Sequence, residues 1–133
     1  MRITEELKEF IGRADVAKVL ASAGPDGLPN IGPKATLHVF DDESLGFMEV
    51  AGGRHWENLR RDPRVSVAFL DWEGHAGYRL AGRAEIHNEG PVYEKIMRRF
   101  FKPDKPPPKA CVRIRVEEAA VLRPGRPARP LTE

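Results

Sequence analysis

In Glu49-Val50-Ala51-Gly52-Gly53-Arg54-His55-Trp56-Glu57-Asn58-Leu59-Arg60-Arg61-Asp62-Pro63-Arg64-Val65, an apolar run gives way to two glycines, a cation and a short helical pattern. Glycine alone tolerates positive φ and lets a ligand press against bare backbone. A helix start points free N–H groups outward, and a guanidinium beside them forks onto an anion. The same residues also describe a tight turn, so a phosphate site needs support from elsewhere in the chain. The helix is expected to stop before Pro63, which cannot continue it.

Around this stretch the pattern is that of a mainly β protein. Thr4 is a fair N-cap, Glu5 and Glu6 suit a first turn, and Leu7, Phe10 and Ile11 recur at helical spacing, which predicts a short helix lidding one end. Strands are expected over 16–23, 29–40, 45–50, 65–70 and 78–87, the first two joined by the turn Gly24-Pro25-Asp26-Gly27. On the fifth, Tyr78, Leu80, Gly82, Ala84 and Ile86 share one face. Pro91 opens a further helix with Val92, Ile96, Met97 and Phe100 as its apolar stripe. Lys102 to Lys109, with four prolines, must be an exposed loop. Val112, Ile114 and Val116 then alternate with charged residues as a half-buried sixth strand. Few helices and early hairpins imply a six-stranded antiparallel split β-barrel flanked by short helices, with residues 1–122 as the domain and 123–133 as a Pro/Arg-rich tail. The tail is expected to be disordered or to lie on a partner. Parallel α/β is disfavoured because the crossovers it needs are missing, and no G-x-G-x-x-G follows a strand.

Composition narrows the function classes. The 133 residues carry 22 Lys+Arg and 20 Asp+Glu, a formal net charge of +2, so no global field points to nucleic acid or to a membrane surface. Arg60, Arg61, Arg64, Arg98 and Arg99 lie near helix ends among acids without a stacking platform, as solvated faces do. The single cysteine, Cys111, sits in an apolar setting, reads as core and fits a reducing, cytoplasmic compartment. His38, His55, His75 and His87 show no metal-type spacing, so no metal is expected. The N-terminus has no apolar signal region, and no run approaches a membrane span.

Support for the phosphate site lies in Pro29-Asn30-Ile31-Gly32-Pro33-Lys34 on the second strand. Glycine and proline inside an apolar strand mark either an edge strand with a bulge or a place where a flat ring approaches the backbone. In a meander the second and third strands are neighbours. Lys34 and Arg54 would then converge on one phosphate above Gly52 and Gly53.

Taken together, the hairpin turn, the Pro-Asn-Ile-Gly-Pro-Lys run, the Gly-Gly-Arg motif and Asp62-Pro63-Arg64-Val65 resemble the pyridoxamine 5′-phosphate oxidase-like group of FMN-binding split barrels, over roughly Val16 to His87. The resemblance implies a homodimer with FMN at the interface. Lys34 and Arg54 would hold the phosphate with His55 nearby, while Asn30, Ile31, Gly32, Pro33, Val50, Ala51, Gly52 and Gly53 border the ring and ribityl chain. Trp72 and Tyr78 are candidates to reach the partner's flavin, the alternative being plain packing. Two departures stand out: His55 occupies a place where many relatives carry Ser or Thr, and the arginine- and histidine-containing substrate motif of true oxidases is missing. Conversion of pyridoxamine phosphate is therefore not expected. The expected activity is an FMN-dependent oxidoreductase with NAD(P)H or a partner protein as donor and a small-molecule acceptor. A non-catalytic electron carrier, a deazaflavin or haem binder on the same fold, and a structural dimer with no ligand are the alternatives. No side chain presents itself as a catalytic acid or base, since flavin chemistry belongs to the cofactor.

Overall fold

A computed structural model describes residues 1–132. In chain order the elements are α1 (Glu5–Ile11), β1 (Ala17–Ser22), β2 (Asn30–Pro33), β3 (His38–Asp41), β4 (Ser44–Glu49), α2 (Arg54–Arg61), β5 (Arg64–Asp71), β6 (Ala76–His87), α3 (Pro91–Phe100), β7 (Ala110–Leu122) and β8 (Arg129–Leu131). The strands form one antiparallel sheet in the order β2-β1-β5-β6-β7-β4-β3, with β8 added on β7. The sheet is thus eight-stranded and unclosed, where six strands were expected.

The extra strands have two sources. The expected second strand, 29–40, is broken after Pro33: β2 pairs with β1 and β3 pairs with β4. Proline lacks the donor that a continuing ladder needs. The other source is the tail, where Arg129–Leu131 pairs with Ala119–Val121 instead of staying free of the domain.

The break keeps the expected pairing of second and third strands only for the His38–Asp41 half, since β2, which leads into Lys34, lies at the opposite end of the sheet order from β4. Four residues, 34–37, nevertheless join β2 to β3, and so short a link spans no more than about 18 Å. The sheet must therefore curl until its two edges face each other across a split. Leu37 plugs the gap with no exposed surface, and the Met48 N–H donates to Thr36 Oγ1 at 2.9 Å.

Inside the curl lie Leu20, Leu37, Leu45, Phe47, Phe69, Leu80, Val112 and Ile114, all 2 % exposed or less. α1 closes one end through Ile3, Leu7 and Ile11, and Thr4 Oγ1 accepts from the Leu7 N–H at 3.2 Å, as the cap pattern predicts. Cys111 is fully buried core. Ile96 is the buried anchor of α3. The fifth expected strand keeps Tyr78, Leu80, Gly82 and Ala84 on its inward face, but Ile86 near its end is 38 % exposed. The bulge opposite Ala81 and Gly82 lies in β7, where Glu117 is the extra residue and the buried face changes phase. A Cβ on Gly82 would sit 1.9 Å from the Arg115 carbonyl oxygen, so only glycine fits that crossing of β6 and β7.

Candidate functional site

The split between the two sheet edges is where α2 begins. α2 runs from Arg54 to Arg61, buries Leu59 and ends at Asp62, whose N–H donates to the Asn58 carbonyl at 2.8 Å before Pro63. Its N-cap is Gly53, at φ 79° and ψ −152°, which offers no side chain to the first turn. The first intrahelical bond runs from the Glu57 N–H to the Gly53 carbonyl at 3.1 Å, so the amides of Arg54, His55 and Trp56 have no helical acceptor. The Arg54 side chain is exposed and makes no hydrogen bond or ion pair among the described residues.

His55 faces inward and is only 8 % exposed. Its Nδ1 lies 2.7 Å from Ser22 Oγ, and Asn58 Nδ2 donates to that same oxygen at 3.0 Å. A hydroxyl that accepts from Asn58 satisfies all three groups by donating its one proton to Nδ1. The ring is then the neutral tautomer with its proton on Nε2. Burial, aided by Lys34, holds its pKa below the usual value for histidine, while Glu49 works weakly the other way. His55 Nε2 is the one buried side-chain polar atom without a partner among the described residues. It is aimed at the backbone of Gly32, where an added Cβ would stand 3.5 Å away. Such an orphaned donor is costly unless something else accepts from it, so it marks a place for a ligand acceptor.

Lys34 stands beside this space, but its charge is already matched. Nζ donates to Glu49 Oε1 at 2.7 Å and lies 5.4 Å from the centre of the Phe47 ring. Glu49 has no exposed surface, and its other oxygen accepts from the Gly52 N–H at 3.1 Å. The buried carboxylate thus ties β2 to the glycine loop. The loop also receives Lys109 from the start of β7. The Lys109 N–H donates to the Glu49 carbonyl at 2.7 Å, and its side chain crosses Gly52 so closely that an added Cβ would meet Cε at 2.6 Å.

Of the residues singled out from sequence, the fold gathers Gly32, Lys34, Gly52 and His55 at the start of α2, where Gly53 and Arg54 follow in the chain. Val50 and Ala51 lie in the exposed loop before them. Along β2, Asn30 and Gly32 are half-buried on the side of Lys34, whereas Ile31 and Pro33 point outward, Ile31 70 % exposed. Trp72 and Tyr78 are not brought there within one chain. Trp72, on the β5–β6 turn, borders a cleft of about 360 Å³ with Leu70, Leu122 and Pro124. That turn lies past the Ala17–Leu70 pair, whereas Ser22 pairs with Val65 at the other end of β1. Tyr78 packs edge-on against Phe10, ring centres 5.0 Å apart.

Three contributors were not singled out. Glu49 had a signal: it shares the inward face with Leu45 and Phe47, and a carboxylate on a core face needs a partner. Ser22 and Lys109 had none, because a strand serine and a loop lysine are ordinary. Among the described residues no group of His, Cys, Asp or Glu is placed to hold a metal, and no helix is long and apolar enough to cross a membrane.

Comparison with known proteins agrees with this architecture. Residues 3–123 match the family model described as pyridoxamine 5′-phosphate oxidase. HupZ of Group A Streptococcus is 33 % identical, with 92 % of this chain and 96 % of that one covered and a TM-score of 0.82. An uncharacterized protein of Methanocaldococcus jannaschii is 29 % identical over 94 % of this chain and 84 % of its own length. An FMN-binding protein of Syntrophomonas wolfei shares the fold at a TM-score of 0.74 with 15 % identity, covering 89 % of each chain.

Proposed function

The chain belongs to the pyridoxamine 5′-phosphate oxidase family, and on that premise we propose that it binds FMN at the start of α2 and acts as an FMN-dependent oxidoreductase. The observation that carries the reading is the unpartnered, buried His55 Nε2, set beside the free Arg54 and an uncapped helix start. The donor set suits a phosphate: a guanidinium, backbone amides and a neutral imidazole N–H all donate and none accepts. His55 takes the place of the hydroxyl that many relatives carry, supplying a donor from a longer side chain.

When bound, flavin supplies the hydride and electron transfer. The protein's own residues bind and orient. Arg54 and the first-turn amides hold the phosphate, His55 donates to it, and Gly32 keeps the backbone bare where ring and ribityl chain pass. Nothing in this set takes or gives a proton in the reaction.

The cofactor is proposed to lie at a homodimer interface. The supporting observation is that Ile31 and Val50 are exposed apolar side chains flanking the opening, and a flavin ring needs walls on both faces. Trp72 belongs to the proposal as a residue that the partner copy brings toward the ring. A cytoplasmic setting, with NAD(P)H or a small molecule as redox partner, is proposed with it; the buried free thiol of Cys111 fits a reducing compartment.

Titration with FMN and riboflavin tests the site. Wild type should prefer FMN, and Arg54→Ala should lose most of that preference. Equal binding of the two, or an unchanged preference in the variant, overturns the proposal. Anaerobic mixing of FMN-loaded protein with NADPH separates enzyme from carrier, since bleaching no faster than that of free FMN favours the carrier. A protein that refuses FMN but takes up a deazaflavin or haem moves the assignment to that cofactor.

A further inference from the structure

We infer that Lys109 is the second cation of the anion site, and that Lys34 is the fixed counter-ion of Glu49 instead of a charge offered to the ligand. Lys34 and Arg54 were the pair expected to meet a phosphate, but only Arg54 is free. The Lys34 ammonium sits 2.7 Å from a carboxylate that has no exposed surface. Glu49 cannot give it up, because a carboxylate left unpaired in the interior is strongly unfavourable. The pair therefore brings no net charge to the opening. Lys34 retains N–H groups that can point at a ligand, but its charge is spent. Glu49 also occupies the Gly52 N–H. What remains for an anion is the guanidinium of Arg54, the first amides of α2 and the Nε2 of His55.

Lys109 completes this set. Its backbone is pinned to the Glu49 carbonyl, so β4 and β7 fix where its side chain starts. The stem then crosses Gly52, its Nζ 3.8 Å from where a Cβ on that glycine would stand. Among the described residues no carboxylate or other acceptor pairs with its ammonium. Lys109, across Gly52, and Arg54, next after Gly53 in the chain, thus both adjoin the glycine pair, and among the described residues neither side chain has a partner. The prolines at 106–108 stiffen the approach to Lys109. Gly52 is needed twice over, for its φ of 77° and for the passage of this side chain.

The inference rests on the FMN reading only for the identity of the molecule that owns the phosphate. It is tested with two probes, FMN and inorganic phosphate, each followed by the amide NMR signals of Gly52, Gly53 and Arg54, with riboflavin as the uncharged control. Lys109→Ala, an exposed substitution that leaves the core alone, should weaken FMN roughly tenfold or more and leave riboflavin unchanged, as expected for one charge-assisted contact. Lys109→Arg should restore most of the loss. Glu49→Gln, which unmasks Lys34, should tighten FMN, and the pair Lys34→Met with Glu49→Gln should keep most of the wild-type affinity. An FMN-to-riboflavin ratio unchanged in Lys109→Ala overturns the inference. So does an affinity that collapses in the Lys34→Met, Glu49→Gln pair while the protein stays folded. If wild type responds to phosphate but not to FMN, the FMN reading fails alone, and the phosphate response of Lys109→Ala decides the inference. If neither probe moves the glycine signals, both fail.

Discussion

Two helices of this chain begin on the same backbone device. Gly53 opens α2 at φ 79° and ψ −152°, and Gly90 opens α3 at φ 91° and ψ −171°, neither with a side-chain cap. A buried histidine accompanies each helix, within the first turn of α2 and against the last residue of α3. Beneath α3, His38 Nδ1 donates to the Thr36 carbonyl at 2.7 Å and the ring lies against Phe100, centres 4.6 Å apart. In the first turn of α2, His55 has Ser22 on one nitrogen and, among the described residues, nothing on the other. Pro91 removes the first free amide of α3, whereas Arg54 adds a guanidinium to the first turn of α2. A glycine-capped helix start is therefore not a site by itself. The start of α2 differs in that His55 Nε2 is unmet and Arg54 supplies positive charge without a partner among the described residues, which is why the site is proposed there.

The largest expected effect lies in the buried Lys34–Glu49 ion pair that borders the loop leading into α2. Lys34→Ala leaves Glu49 buried and alone, and should lower the unfolding free energy by about 3–5 kcal/mol in urea titrations, with Glu49→Gln in the same chain recovering most of it. A loss below ~1 kcal/mol would show that Glu49 does not depend on Lys34.

Acid sharpens the contrast between the two histidines. Burial pushes the pKa of His38 down to about 4, so the unfolded chain takes up this proton first. The stability it contributes is fully present above pH 6.5 and is lost as pH falls toward 4, on the order of 3 kcal/mol in all. Denaturant melts at stepped pH should show that slope, and His38→Gln should flatten it. His55 shifts in the same direction, so the imidazole beside α2 stays neutral at pH 7.

Next in size is the affinity held by α2. Arg54→Ala should weaken FMN by about 1.5–3 kcal/mol, one to two decades, read by fluorescence titration. The smallest effect is the most direct test of the comparison. Pro91→Arg gives α3 the cation that α2 has, yet it should move stability by less than about 1 kcal/mol and create no phosphate response at the Val92 and Tyr93 amides. Phosphate binding there would mean that a helix start and one arginine suffice.

Much of this was legible in the sequence because it is local. The cap at Thr4, the turn at 24–27, the glycines at 52 and 53 and the stop at Pro63 each depend on what a residue and its near neighbours can do. The strand count was not legible, since whether 29–40 runs on or breaks is decided by which strands its two halves meet. Gly32-Pro33 marked the break, but an edge with a bulge reads the same way. The tail looked too polar to fold, and it is: β8 exists only because β7 offers it an edge.

Sequence by itself determined the mainly antiparallel fold, the glycine loop with its cation and the buried cysteine, through periodicity, backbone freedom and hydrophobic burial that act within a few residues. Tertiary structure alone decided which charges at the opening are free. Lys34 and Arg54 look alike as letters, but Glu49 neutralises one from across the split, and Lys109, 55 positions beyond Arg54 in the chain, crosses Gly52 with no partner for its ammonium among the described residues. Electrostatics acts through space, and the curl of the sheet sets those distances.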